Sequence, residues 1–201
     1  MPTLQELLSS PDQSARLKAA LAAGTYPSPD HIETLILQCG IESDFFVRDT
    51  LSWALMRQDR ETVVQRLIPE LSSANKQAKI QAIHTFSKIG DQQNYSLISK
   101  EMLLDPDDAV ASTAWRAASV LVPESEKSAL IEVLLTQLGR GDSDTQFGLT
   151  RFLCAIGQPI VAPLTVAAQS SDEPVRTHAE FTLIRYAEME LEKQESNKRG
   201  R

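Results

Sequence analysis

The sequence predicts an all-α fold in which pairs of antiparallel helices stack in a row, and three observations support this prediction. Alanine and leucine are frequent among the 201 residues, whereas aromatic side chains make up only 5%, and such a composition favours helices. A motif recurs at nearly constant intervals along the chain, which is typical of repeat proteins. The sequence has no competing run of alternating β-branched residues, which would favour strands.

Each copy of the motif opens with a short polar turn and leads into a helix at a small or apolar anchor residue. Small or apolar residues then recur at positions +4, +7, +8 and often +11 from the anchor, which is one face of a helix. Aspartates such as Asp44 and Asp172 stand just before the anchors, where they are suited to cap the helix and to lie at its positive end. The six anchors, spaced 32, 31, 32, 35 and 30 residues apart, are Ala15, Val47, Ala78, Val110, Thr145 and Val175.

Shorter helical runs precede the anchored helices and complete about six antiparallel pairs. We expect these first helices at about 3–8, 29–39, 61–71, 91–103, 124–138 and 159–169. Gly90 and Gly157 stand where a helix end favours glycine. The uncharged stretch 152–171 contains Gly157 and two prolines, so we interpret it as two helices joined by a turn and not as a membrane span. We predict one domain over residues 1–190 and a polar, basic, frayed tail over 191–201.

Two segments carry a resemblance to a known family. The stretches 44–55 and 172–179, which place an arginine one residue after the anchor at Arg48 and Arg176, resemble the second helix of HEAT repeats. The run Leu67-Ile-Pro69-Glu-Leu71 resembles the first helix, which contains a proline. The likeness extends to about residue 190, and the whole is similar to small stand-alone HEAT-repeat proteins of bacteria. It implies a right-handed α-solenoid and a non-enzymatic scaffold that holds another chain. Arg16 and Lys79 also match the family's basic position, whereas Ala111 and Gln146 depart from it.

The solvent side of the second helices carries the candidate binding residues. Positions +2, +6, +9 and +10 lie opposite the core stripe or on its flank, and in a HEAT-type solenoid the second helices line the concave wall. Tryptophan, phenylalanine, methionine and arginine recur there, and these residue types are common in interface hot spots. The candidate set is Asp49, Trp53, Met56, Ile80, His84, Arg116, Arg151, Phe181 and Arg185. The alternative is that the apolar members pack on neighbouring repeats and the arginines are ordinary solvated charges.

Charge suggests the kind of partner. The chain has 27 acidic and 20 basic residues, for a net charge of −7. The stripe at positions +2, +6, +9 and +10, by contrast, holds Asp49 as its one carboxylate against five basic residues, which are Arg57, Lys88, Arg116, Arg151 and Arg185. A locally basic groove on an acidic body favours an acidic or extended protein segment. We therefore expect a protein or peptide partner, no membrane, and little affinity for nucleic acid.

The sequence gives little support to an enzyme. The three histidines lie in different repeats without a partner at i+4, so no zinc site is predicted, and no phosphate-binding or nucleophile-elbow motif is present. We expect no cofactor and no metal. Cys39 and Cys154 lie in apolar helical contexts, which predicts two buried free thiols in a reducing compartment. The absence of a leader-like N-terminal segment points the same way, to the cytoplasm.

Two enzymatic alternatives stay open. Asp49 and Trp53, with Arg116 on the same predicted wall, resemble the Asp and Trp residues that HEAT-like alkylpurine DNA glycosylases carry on their concave wall. A net negative charge opposes DNA binding. Chromophore lyases of phycobiliproteins also contain HEAT-like repeats, but no residue here selects that chemistry. The sequence leaves the partner, the pathway and the oligomeric state undetermined.

Overall fold

The computed structural model describes residues 2–199, and this part of the chain is all-helical and contains no β-strand. Short helices alternate with longer ones, as the repeat predicts, and several of the short helices are preceded or followed by a turn of 3-10 helix. The α-helices are α1 Leu4–Leu8, α2 Gln13–Thr25, α3 Ile32–Cys39, α4 Phe45–Met56, α5 Arg60–Leu67, α6 Lys76–Ile89, α7 Lys100–Leu103, α8 Asp108–Leu121, α9 Lys127–Leu135, α10 Ser143–Ile156, α11 Val161–Ala167 and α12 Glu173–Arg199.

Contacts within the chain define two compact units, Met1–Asp91 and Gln92–Arg201. In the first unit the longer helices α2, α4 and α6 contact one another in chain order, and the short helices α1, α3 and α5 do the same. In the second unit the same pattern joins α8, α10 and α12, while α7, α9 and α11 form the other row. Each unit is thus a two-layered helix array, and the single domain expected over residues 1–190 stays a prediction.

The periodic apolar positions form the core. At position +4, all six residues are buried, and they are Ala19, Leu51, Ala82, Ala114, Leu149 and Ala179. Four of the six are alanines, since a small side chain lets neighbouring helices approach closely. The apolar face that the spacing predicts is buried at these positions, and Ala82, Ala114 and Ala179 are 1%, 0% and 0% exposed.

The helix caps also follow the prediction. The carboxylate of Asp44 accepts a hydrogen bond from the Val47 N–H at 3.0 Å. Asp172 accepts one from the Val175 N–H at 3.4 Å. Such bonds pair backbone donors that a helix start leaves without an intrahelical partner. Gly90 ends α6 with a φ of 68°, a left-handed conformation that glycine adopts without strain.

Residues 91–103 differ from the expected continuous helix. Gln92–Leu97 form a 3-10 helix, and α7 begins only at Lys100, after Ser99 accepts a hydrogen bond from the Met102 N–H. The segment contains Asn94 and Ser96, whose side chains compete with helical hydrogen bonding. The expected apolar spacing at this place therefore does not produce one helix.

Residues 191–199, which we expected in a frayed tail, are part of α12, while Gly200 and Arg201 lie outside the described residues.

The uncharged stretch 152–171 is divided as expected, because α10 ends at Ile156 and α11 begins at Val161. Within the described part of the chain, no single helix could span a membrane by length and apolarity. The segments Ser143–Ile156 and Gln158–Ala167 pass that test only together, and they are bent by 119°.

Candidate functional site

The candidate residues of the first unit lie on α4 and α6, and several of them make contacts within the unit. Asp49 forms an ion pair with Lys88 of α6, with 2.5 Å between Oδ1 and Nζ. Trp53 is half-buried, and its ring lies against Gly24 of α2 so closely that a Cβ atom at Gly24 would be 2.2 Å from Cζ3 of the indole. The Trp53 ring therefore packs between α2 and α4 and presents only part of its surface to solvent. Ile80 and His84 are half-buried on α6.

Met56 lines a cleft of about 250 Å³ in the first unit, together with Leu55, Arg60, Val63, Lys88 and Ile89. Carboxylates pair both of its cations: Arg60 bonds to Asp91 at 2.9 Å, and Lys88 bonds to Asp49. The cleft is therefore apolar with neutralised charges at its rim, and it contains no arrangement suited to acid–base or nucleophilic chemistry.

In the second unit, the candidate residues lie on three helices that contact in chain order, α8, α10 and α12. Phe181 of α12 contacts Phe147 of α10, with ring centroids 6.3 Å apart and an angle of 47° between the rings. The two rings remain 40% and 45% exposed, and Ile184, one turn after Phe181, is 57% exposed. Large apolar side chains with this much exposure form a patch that a partner can cover. We define the Phe147–Phe181 surface as Arg116, Phe147, Arg151, Phe181, Ile184 and Arg185.

The arginines of this surface differ in their pairing. Arg185 is bonded to Glu188. Arg116 and Arg151 are exposed, and within the described part of the chain their guanidinium groups make no ion pair or hydrogen bond. Other arginines of the same unit are committed to internal contacts. Arg140 bonds to Asp108 at 2.8 Å and lies over the Trp115 ring, and Arg176 donates to the Ser170 carbonyl at 2.9 Å.

Sequence reasoning gave less weight to a second aromatic pair, Phe45 and Phe46, in the first turn of α4. Their rings meet edge to face with centroids 5.6 Å apart, and both side chains are exposed, at 65% and 68%. The position of these two residues in the repeat could have indicated their exposure. The anchor Val47 is buried, and adjacent helix positions are about 100° apart, so Phe45 and Phe46, just before it, point away from the core.

Glu42, which the sequence places in a polar turn, is buried and binds several parts of the first unit. Its carboxylate accepts two hydrogen bonds from Arg16 of α2, both 2.8 Å long, one from Gln38 at 3.1 Å, and one from the Asp44 N–H at 3.0 Å. Its carbonyl oxygen accepts from Gln77 of α6 at 2.7 Å. Burial alone raises the pKa of Glu42, but these hydrogen bonds outweigh it, and the pKa lies at about 2.

The arginines that follow the anchors Ala15 and Val47 hold the turns within their own repeats. Arg48 donates to the carbonyls of Glu42 and Ser43 at 2.8 and 2.7 Å, and Arg16 donates to those of Ser10 and Pro11 at 3.0 and 3.3 Å. Gln146, which departs from the family's pattern, reaches the carbonyls of Gly139 and Gly141 in the same way. These side chains are structural and are not free to bind a partner.

The two thiols and His178 are part of the buried interior. Cys39 and Cys154 are buried free cysteines, as the sequence predicted, and burial raises the pKa of Cys39 to about 12 and also raises that of Cys154. Thiols of this kind are poor nucleophiles at neutral pH. The ring of His178 accepts from the Gly139 N–H through Nδ1 at 3.0 Å and bonds to Thr150 through Nε2 at 3.0 Å.

In residues 2–199, no group of three or more His, Cys, Asp or Glu side chains is placed to hold a metal ion.

Comparison with known proteins supports the fold only. No family model matches the sequence, and no curated protein matches it. The crystal structure of an engineered protein from the Northeast Structural Genomics Consortium superposes with a TM-score of 0.50 at 19% identity, over 92% of this chain and 95% of that chain. A second engineered protein from that consortium has a TM-score of 0.48 at 19% identity, and the alignment covers 91% of this chain and 56% of that chain. At this identity the first likeness concerns the fold alone.

Proposed function

We propose that the chain is a non-enzymatic protein-interaction module whose helix pairs form a right-handed, HEAT-like α-solenoid, and that it holds a partner segment on its second helices. The two-layered order of helices within each unit, with long helices in one row and short helices in the other, supports the solenoid. The two buried free thiols support a reducing compartment such as the cytoplasm.

The observation that carries this proposal is the Phe147–Phe181 surface. Three large apolar side chains are 40–57% exposed there, on two adjacent helices, beside two exposed arginines. Exposed aromatic residues and arginines side by side are the composition of interface hot spots. A solvated helix face with no binding role would more commonly carry lysines and glutamates.

The glycosylase-like alternative receives less support from the first unit. Asp49 and Trp53, the candidate catalytic residues for that activity, both make contacts inside the protein. Asp49 is paired with Lys88, and Trp53 is packed against Gly24. A base-excision site needs a pocket in which a flipped base stacks and meets a free carboxylate. The cleft beside Met56 has an apolar lining and cations that are already paired, which does not fit that requirement.

A peptide-library selection tests the proposal. Random peptides displayed on phage are selected against the immobilised chain, and against the same chain with Phe147→Ala and Phe181→Ala. We expect specific peptides to be enriched on the wild type and lost on that variant, but kept on a matched control with Phe45→Ala and Phe46→Ala. If no peptide is enriched above an unrelated helical protein, or if the chain releases alkylated bases from duplex DNA, the proposal is wrong.

A further inference from the structure

The apolar and the charged parts of the Phe147–Phe181 surface lie in a fixed order across the second unit. α10 contacts both α8 and α12, so a line drawn across the three helices meets Arg116 first, then Phe147 and Arg151, and then Phe181 and Ile184. Arg116, Arg151 and Phe181 share position +6 of their repeats. The surface is therefore cationic on α8 and mixed on α10. On α12 it is apolar at Phe181 and Ile184, beside Arg185, whose charge is paired with Glu188.

The two arginines on the line are available to a ligand. Within residues 2–199 neither guanidinium has an ion pair or a hydrogen bond, whereas Arg140, Arg176 and Arg185 of the same unit all have one. Uncommitted arginines are notable in a chain with 27 acidic residues against 20 basic ones, because carboxylates to pair with them are abundant. A ligand that brings carboxylates would gain two hydrogen-bonded ion pairs without having to break an internal one.

The spacing of the helices sets the length of the ligand. Packed helices lie about 8–10 Å apart, so the path from α8 to α12 is about 16–20 Å. An extended chain crosses that distance in about six residues, at roughly 3.3 Å per residue. A helical ligand would need about twelve residues to cross the same distance, at about 1.5 Å per residue, so an extended segment crosses the surface with about half as many residues.

We propose that the second unit binds an extended, acidic segment of a partner protein, about six residues long. Its carboxylates pair with Arg116 and Arg151, and its bulky apolar side chains cover Phe147, Phe181 and Ile184. This inference rests on the proposed function and specifies its partner. The apolar contact supplies most of the affinity, and the arginines set the orientation and the dependence on salt.

Fluorescence anisotropy with labelled peptides tests the charge and the apolar requirement separately. The probe is a twelve-residue peptide with glutamates in one half and leucine and phenylalanine in the other. The comparison peptides replace the glutamates by lysines, or the apolar residues by serines. We expect the acidic, apolar peptide to bind about tenfold more tightly than either comparison peptide, and its affinity to fall as the salt concentration rises.

Variants of the full chain test whether the peptide binds at the Phe147–Phe181 surface. We expect Arg116→Glu with Arg151→Glu, and separately Phe147→Ala with Phe181→Ala, to weaken binding by about tenfold or more. A charge control with Lys18→Glu and Lys100→Glu has the same net charge as the arginine variant, and both of its lysines are exposed. Together with the Phe45→Ala, Phe46→Ala control, it should bind within about twofold of the wild type. Circular dichroism checks that every variant is folded.

Four outcomes would overturn the inference. One is equal or tighter binding of the lysine peptide. Another is equal weakening by the charge control. A third is tighter binding of a single-stranded oligonucleotide than of the acidic peptide, with dependence on the arginines but not on the phenylalanines. The fourth is failure of the acidic peptide while a library-selected peptide binds and depends on Phe147 and Phe181. In this last case the interaction function stands and only the acidic partner is wrong.

Discussion

The guanidinium of Arg16 donates two parallel hydrogen bonds to the carboxylate of Glu42, each 2.8 Å long, and so joins α2 to the turn before α4. The Glu42 side chain is 1% exposed and that of Arg16 is 15% exposed. A pair in this geometry is screened little by water, and removing one partner leaves a buried charge without compensation.

We expect Arg16→Ala to lower the free energy of unfolding by about 3 kcal/mol, because Glu42 stays buried after its counter-charge is removed. Urea unfolding followed by circular dichroism measures this loss. The matched control is Arg66→Ala, which breaks a pair with Glu33 that is 3.8 Å long and exposed on both sides and should cost less than about 1 kcal/mol. Equal losses in the two variants would mean that the Arg16–Glu42 pair contributes no more than a surface contact.

Glu42 should make the protein sensitive to acid. Its pKa is about 2 in the folded chain, against 4.5 ordinarily. Below pH 4.5 the Glu42 side chain takes up a proton in the unfolded chain but not in the folded chain. The stability that Glu42 contributes is therefore fully present above that pH and is lost as the pH drops toward 2. The difference corresponds to about 3 kcal/mol. Glu42→Gln should flatten this part of the stability profile, and an unchanged acid slope in the variant would contradict the assignment.

His178 should give a second, separate dependence at higher pH. Burial lowers the pKa of His178 below its ordinary 6.5, and a protonated ring would turn a second N–H toward the Gly139 N–H. The stability that the neutral His178 ring contributes is therefore fully present above about pH 6.5, and it is lost as the pH drops through the lowered pKa of the folded state. His178→Leu should cost roughly 1–3 kcal/mol at neutral pH, because it leaves the Gly139 N–H without a partner and removes one of the two side-chain bonds of Thr150, which keeps its bond to Thr182. It should also remove the slope just below pH 6.5, and a slope that survives in the variant would exclude His178 as its source.

Gly24 and Trp53 should behave as a coupled pair. A Cβ atom at Gly24 would lie 2.2 Å from the Trp53 ring, so Gly24→Ala should cost about 1–3 kcal/mol through overpacking. Adding Trp53→Ala removes the clash, so the double variant should lose less stability than the sum of the two single variants. Gly148→Ala in α10 is the control, since its Cβ would meet only Phe152, at 3.8 Å, and the helix should tolerate or gain from it. Additive losses would show that the two residues do not compete for space.

The sequence predicts the periodic part of the fold well. The buried alanines at position +4 and the aspartate caps follow from helical spacing and from the chemistry of a helix start, which are local rules. The break before Ser99 was not predicted, because apolar spacing continues through a segment whose polar side chains interrupt the helix. The continuation of α12 through residues 191–199 was not predicted either, because a charged composition was interpreted as a frayed end.

The candidate site depends on contacts between residues that are far apart in the sequence, and helical spacing alone does not predict such contacts. Position +6 predicted that Arg151 and Phe181 face solvent, and both are exposed. The same position placed Trp53 outward, yet its ring contacts Gly24, since the closeness of α2 and α4 is a property of the packed helices. The sequence analysis did not single out Glu42, because its partner Arg16 lies 26 residues earlier in the chain.

An NMR titration tests the central claim most directly. The isotope-labelled chain is titrated with the acidic, apolar peptide, and the backbone amide shifts are followed residue by residue. We predict that the largest changes fall on residues 147–151 of α10 and 181–185 of α12, with smaller changes near Arg116. Changes centred on Phe45 and Phe46, or on the cleft beside Met56, would contradict the assignment of the partner to the Phe147–Phe181 surface.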